Sequence, residues 1–344
     1  MAYFFKLPPI TDLTIGQQSA LNDPNPISIS GGPGTGKSVV SLWRHIRNYG
    51  IGNKSSLLLT YTKTLERYLS SSASSENSQA GNAVNRTYWW LTHHAKNYDE
   101  IIIDEAQDVE EEKYLDIKKY SSNISYGADD EQSIYPNKAT SESKLKELFP
   151  KNNNYVLGEN FRNSYEILLF IKALFRDRNI SHDLLQNLIA NNRRGTKPTL
   201  LVTSHIIEKQ NTAIVDIIKQ FQSETHNIAV LVPFVSEVNF YHEMIQQNGI
   251  TCSKFANTHG ELGIIENVHI TTLKSSKGTE FDTVIIPNFE KMRLYIATKD
   301  VVEENDYYVT LSRARRNLYL ISATVPDFLM TSEQQKETYN TEFL

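Results

Sequence analysis

The chain has 344 residues, 40% of them apolar, and sets 35 Lys and Arg against 40 Asp and Glu, a formal net charge of −5. This length and apolar content suit about two globular domains, and the acidic balance excludes a protein that grips nucleic acid by bulk positive charge alone. A single cysteine, Cys252, excludes an intrachain disulfide, and no run of about 18 apolar residues is present to span a bilayer.

In chain order, the opening MAYFFKLPPI is too short and too Pro-rich for a secretory signal, so the expectation is a cytoplasmic protein without membrane contact. Residues 26–30 read as a short strand, 31–38 as a glycine-rich loop and 39–49 as a helix. The apolar runs 56–60 (SLLLT) and 100–103 (EIII) have the length of buried parallel strands, and 123–127 reads as another. Between them, residues 70–82 are rich in Ser, Asn and Gly and read as a loop. A second series begins near Tyr155, with strands at 199–203, 227–232, 250–255, 269–272 and 283–287 and helices at 205–222 and 234–248. The polar run 150–154 reads as a linker. Two successive series predict an α/β protein of two tandem doubly wound lobes with mainly parallel sheets, residues 1–152 and 153–330, followed by a loosely held polar tail, 331–344.

Residues 31–38 read GGPGTGKS and fit G-x-x-x-x-G-K-[ST] at every fixed position. Gly31, Gly34 and Gly36 let the backbone, with Thr35, fold tightly and turn N–H groups inward on a phosphate chain. Lys37 can reach the β- and γ-phosphate oxygens and Ser38 can hold Mg²⁺. The helix that starts here, with Val39 in its first turn, points its positive end at the same anion. A second signal is IIIDEAQD at 101–108, an apolar strand ending in paired carboxylates. Asp104 at the strand tip can coordinate Mg²⁺, and Glu105 can orient and deprotonate a water.

Taken in order, these segments resemble superfamily 1 helicases and translocases of the UvrD/Rep/PcrA type, over about residues 11–322. LTIGQQSAL at 13–21 resembles the glutamine motif and makes Gln17 the adenine reader. LLLTYTKTL at 57–65 resembles the motif whose Thr and Lys touch a single strand, and RTYWW at 86–90 stands where relatives have a Thr-Phe-His-like segment. GADDEQSIY at 127–135 places Gln132 on the γ-phosphate and Tyr135 against bases. LGENFRNS at 157–164 makes Arg162 an arginine finger. TLKSSKGTEFDTVIIP at 272–287 puts Glu280 on the ribose, and YVTLSRARRNL at 308–318 makes Arg313 the second finger. The resemblance implies two RecA-like lobes that bind ATP and Mg²⁺ between them. Its catalytic set is Lys37, Asp104, Glu105, Gln132, Arg162 and Arg313.

On the nucleic-acid side, Thr60, Thr62, Lys63 and Thr87 offer donors to phosphates, and Thr272 and Lys274 join them through the resemblance. Tyr61, Tyr88, Trp89, Trp90 and Tyr135 can stack on unpaired bases, or the tryptophans can fill a core. The chain departs from the family in length. Few residues separate Trp90 from Asp104, and residues 257–268 stand where relatives carry a second large insertion. Residues 136–138 read PNK where relatives have an aromatic-Arg-Gly run, and Lys274 stands where they have histidine. The expected activity is ATP hydrolysis coupled to single-stranded nucleic acid, with DNA the expected strand. The alternative is a regulatory ATPase subunit of a DNA-repair or anti-phage complex, partnered for example by a nuclease and without unwinding activity of its own.

Overall fold

The continuous apolar runs become central parallel strands because both faces of each sheet are covered by helices. The computed structural model describes residues 7–133, 139–178, 180–256, 263–298, 302–330 and 332–344. The chain divides into two units, one spanning Phe5–Phe161 and one containing Arg162–Leu344.

The first unit is built on six strands: β1 (Ile27–Ser30), β2 (Ser56–Thr60), β3 (Val84–Arg86), β4 (Glu100–Ile103), β5 (Ile124–Gly127) and β6 (Asn153–Val156). They lie in the order β3-β2-β4-β5-β1-β6, and every pairing is parallel. Side chains alternate across this sheet as the pleat requires. Leu58 and Ile102 pack with Val40 and Leu65 on one face, while Leu57, Leu59, Ile101 and Ile103 pack with Trp90 and Tyr114 on the other.

The second unit carries seven strands: β7 (Thr199–Val202), β8 (Ile228–Val232), β9 (Ser253–Phe255), β10 (Val268–Thr272), β11 (Phe281–Ile286), β12 (Ala314–Ser322) and β13 (Asn340–Phe343). Their order is β13-β7-β12-β11-β8-β10-β9, again parallel throughout. The helices Ile207–Phe221 and Val235–Gln247 bury Ile214, Ile218, Val238 and Ile245 against β8 and β10.

Three sequence readings are corrected here. The polar run at 150–154 is no linker. It leads into β6, whose residues Asn153 to Val156 pair with Ile27 to Ser30, and the division between units falls at Arg162. The tail is not loose: β13 pairs with β7, and Leu344 N–H donates to Val202 O at 3.0 Å. Both are edge strands, exposed along most of their length, so neither displays an apolar pattern. The Ser-rich stretch at 70–82 is helical, in Lys63–Glu76 and Ser78–Asn82. Thr62 caps the first of these through Leu65 N–H at 3.2 Å, and Leu65, Leu69, Ser72 and Ala73 make its buried stripe.

A buried ion pair fixes the helix that follows the glycine loop. Arg44 Nε donates to Glu100 Oε1 at 2.7 Å, and its guanidinium also reaches Asp23 O and Asn25 O at 2.8 and 2.7 Å. Ser125 Oγ and Asn48 Nδ2 complete the Glu100 carboxylate at 2.5 and 2.8 Å. Removing either partner would strand a buried charge, at a cost of roughly 3–5 kcal/mol.

Two buried histidines are expected to make the fold acid-sensitive. His45 sits between Ser56 Oγ (3.0 Å) and Ala80 O (2.8 Å), and His269 meets Ser253 Oγ at 2.8 Å. Burial pushes each ring from 6.5 down to about 4. The folded chain therefore holds them neutral, while the unfolded chain protonates them below about 6.5. Their stabilisation is present above pH 6.5 and is lost as pH falls towards 4, on the order of 2–3 kcal/mol per histidine. Thermal melts from pH 7 to 4.5 check this. We expect a steep fall in Tm for the wild type and a shallower one for a His45→Asn/His269→Asn variant; equal slopes would remove the histidines as the cause.

Candidate active site

The glycine loop leaves β1 at Ser30. Gly31, Gly34 and Gly36 adopt φ values of 145°, 71° and 89°, a region that side chains with a Cβ rarely enter. A Cβ on Gly31 would collide with Leu157 O, and one on Gly36 with the Gln17 amide. Gly36 caps the helix Lys37–Tyr49, with Lys37 and Ser38 in its first turn. Lys37 Nζ donates to Gly31 O at 2.5 Å, Gly32 O at 3.0 Å and Asp129 Oδ2 at 3.3 Å. Thr35 Oγ1 closes the loop on Gly32 O at 2.9 Å. From outside, Asn160 Nδ2 holds Pro33 O at 2.6 Å and Phe161 N–H holds Gly34 O at 2.8 Å.

Gln17 is buried beside this loop. Its Oε1 accepts from Thr14 N at 2.9 Å, the capping box of helix Ile15–Asn22, and its Nε2 donates to Thr35 O at 2.9 Å. The predicted adenine reader therefore braces the phosphate loop. Val39, the last residue of the predicted cofactor set in this unit, packs at the margin of the core.

The carboxylates emerge where β4 ends. Asp104 is 1% exposed, and its Oδ1, Lys37 Cβ and Ser41 Oγ each lie 3.6 Å from the point a Cβ on Gly127 would occupy. Asp104 and Lys37 thus share one small space at the ends of β4 and β5. Glu105 turns the chain with φ 55° and ψ 46°, a left-handed conformation that is costly for a residue with a side chain. A bonded chain then links the site. Gln107 Nε2 donates to Glu105 Oε2 at 2.6 Å, and Gln107 Oε1 accepts from Asp129 N at 3.1 Å. Asp129 Oδ2 accepts from Gln132 Nε2 at 2.6 Å as well as from Lys37. Lys37, Asp104, Glu105 and Gln132 are therefore brought together.

Gln107 and Asp129, which join them, were not singled out from the sequence. The available signal was their place two residues after Glu105 and two after Gly127, each just beyond a strand. Ser38 and Asp104 offer hard oxygen donors of the kind that would suit Mg²⁺. Among the described residues there is no cluster of three or more His, Cys, Asp or Glu suited to a metal.

The second unit holds the arginines. Arg162 Nε donates to Glu280 Oε2 at 3.0 Å, and Arg315 lies 3.5 Å from Glu280 Oε1. Burial alone would raise the Glu280 pKa, but the cations Arg162, Arg315 and Arg313 together hold it below the usual carboxylate range. Arg313 is 0% exposed; its Nε donates to Val309 O at 2.9 Å and a terminal nitrogen to Thr279 O at 3.3 Å. The predicted ribose contact Glu280 is thus an anchor for arginines.

The predicted strand contacts divide. Thr60, Thr62 and Thr87 are buried, with Thr62 capping a helix and Thr87 Oγ1 donating to Thr60 O at 3.3 Å, so they serve the fold and do not face solvent. Trp90 is core, edge-on to Tyr120 at 5.3 Å. Trp89 is 40% exposed and stacks on His93 at 3.8 Å, and Tyr88 is 68% exposed. Lys63 is partly exposed at the start of its helix. Thr272 Oγ1 accepts from Ser275 N at 3.2 Å, and Lys274 pairs with Asp306 at 3.7 Å. Tyr135 and the run 136–138 lie outside the described residues.

Two mostly parallel sheets flanked by helices are the architecture of tandem RecA-like lobes. The UvrD-like helicase C-terminal domain family matches residues 256–324, and the Schlafen group 3 DNA/RNA helicase domain family matches residues 25–194. Both matches are to helicase domains, and with the fold they support a superfamily 1 helicase-like protein. The chain is 28% identical over 246 residues to the putative ATP-dependent DNA helicase R568 of Acanthamoeba polyphaga mimivirus, covering 64% of this chain and 34% of the relative. It is 33% identical over 98 residues to the RecBCD enzyme subunit RecB of Chlamydia pneumoniae, covering 27% of this chain and 9% of that one. The chain therefore spans about a third or less of these relatives' lengths. The structure of S. cerevisiae Dbp5 bound to RNA and ADP BeF3 matches 96% of this chain and 90% of its own, with TM-score 0.56 and 12% identity, a likeness of fold. Among the described residues no helix is long and apolar enough to cross a membrane.

Proposed function

We propose that the chain is an ATP-hydrolysing, helicase-type motor stimulated by single-stranded DNA. The observation that carries this reading is the bonded chain from Glu105 through Gln107 and Asp129 to Lys37 and Gln132. It ties the residues that would hold a triphosphate to the one that would activate water. In this reading the loop N–H groups and Lys37 cradle the phosphates, exchanging the Gly31 and Gly32 carbonyls for phosphate oxygens. Ser38 and Asp104 hold Mg²⁺, which neutralises charge on the phosphate oxygens. Glu105 orients the attacking water and takes its proton, and Gln132 contacts the γ-phosphate. Arg162 and Arg313 stabilise the charge that develops on the transferred group.

The exposed Tyr88 and Trp89 are the proposed stacking surface for unpaired bases, beside Arg86, whose guanidinium lies 5.8 Å from the Trp89 ring. Steady-state ATPase assays with and without a single-stranded oligonucleotide test the motor reading. Turnover is expected to rise with the oligonucleotide; a rate indifferent to it would remove the reading.

The similarity to the RecBCD enzyme subunit RecB favours a second reading, a regulatory ATPase within a multi-protein DNA complex. There, turnover would respond to a copurifying partner rather than to the strand alone.

A further inference from the structure

We propose that Asn163 is a positioning residue for Arg313. The inference rests on the assignment of Arg313 to the γ-phosphate made above. Asn163 is 1% exposed, and its carboxamide nitrogen donates to Ser312 O at 3.0 Å and to Ala314 O at 2.6 Å. These are the carbonyls on either side of Arg313, so one amide group straddles that residue's backbone. The neighbouring side chain, Arg162, reaches Glu280, while the Arg313 guanidinium reaches Thr279 O. Residues 162–163 and 279–280 thus grip the same short stretch from two directions, and Phe281 N–H adds a bond to Arg313 O at 3.0 Å.

The arrangement suits positioning. A guanidinium stabilises a phosphoryl transition state only where its donors meet the oxygens that gain charge, and about 1 Å of misplacement can cost 10²-fold in rate. A carboxamide with two N–H groups is the side chain that can satisfy two carbonyls flanking one residue without adding charge beside an arginine. Alanine at this position leaves both carbonyls to find other donors and lets the peptide carrying Arg313 shift.

The test is a double-mutant cycle on the full chain, with ATP turnover, KM for ATP and thermal unfolding measured for wild type, Asn163→Ala, Arg313→Ala and the pair. We expect Asn163→Ala to lower kcat by about 10–100-fold with KM little changed, because the interaction it supports acts in the transition state. The double variant should be no slower than Arg313→Ala, since a misplaced residue and a missing one forfeit the same contact. Asn163→Ser, smaller and keeping one donor, should fall between wild type and alanine, and it carries the same cycle if the alanine variant does not fold. The inference is overturned if the two losses multiply, if the fall in kcat merely tracks the unfolded fraction, or if Asn163→Ala turns over like wild type. An Arg313→Ala rate equal to wild type instead brings down the arginine assignment, and this inference with it.

Discussion

Arg313→Ala is expected to lower ATP turnover by about 10³-fold or more, the scale on which an arginine finger acts. The side chain is fully buried and held at Val309 O and Thr279 O, so its direction is fixed before any nucleotide arrives. Such preorganisation lets a charge stabilise a transition state without reorganising at the moment of reaction. ATP affinity should change little, because the proposed phosphate contacts of the ground state come from residues 31–38. Removing a buried guanidinium also strands carbonyls, each worth roughly 1–3 kcal/mol if unsatisfied, so Tm must be measured alongside the rate. Arg313→Lys separates the two effects. It keeps the charge but loses the planar fork, and should remain slow in a folded chain. A lysine variant as fast as wild type would show that charge alone suffices there.

Glu105→Gln is expected to cost about 10²–10⁴-fold in the chemical step, the usual worth of a positioned general base. Glutamine preserves size, and its carbonyl oxygen can still accept from Gln107 Nε2, now 2.6 Å from Glu105 Oε2. Binding of ATP should therefore persist while single-turnover hydrolysis nearly stops. Unchanged hydrolysis would move the base to another residue. Asp129 is the nearest competitor in the network, but Lys37 and Gln132 already occupy its Oδ2.

Much of this was legible in the sequence where a pattern had a physical cause. The runs SLLLT and EIII are β2 and β4 without adjustment, since a strand buried on both faces carries apolar residues in succession and confines polar ones, here Ser56, Thr60 and Glu100, to its ends. The loop at 31–38 was legible because three left-handed positions demand glycine. What failed to read follows from exposure and from capping. Asn153 and Asn154 of β6 and Asn340 to Phe343 of β13 lie on sheet edges, where water covers the side chains and hydrogen bonds alone define the strand. The helix Lys63–Glu76 hid behind its serines, although Leu65, Leu69 and Ala73 keep the helical period.

Within the site, the residues that would touch a ligand were easier to name than those that hold them. Asp129 and Gln107 connect Lys37 to Glu105 through bonds that no linear spacing announces. Thr62 and Thr87 illustrate the reverse. Their hydroxyls are spent on a helix cap and on the β2 carbonyl at Thr60, so residues that read as phosphate donors are structural.

The left-handed turn at Glu105 has a consequence for engineering. Its backbone favours glycine or asparagine by about 1–2 kcal/mol over a residue of glutamate's kind. A library of this chain sorted by heat resistance alone would therefore enrich those two residues at position 105 and discard the proposed base. Survivors would be sturdier and inert. Any stabilisation campaign needs turnover as a second filter, with position 105 held fixed from the start.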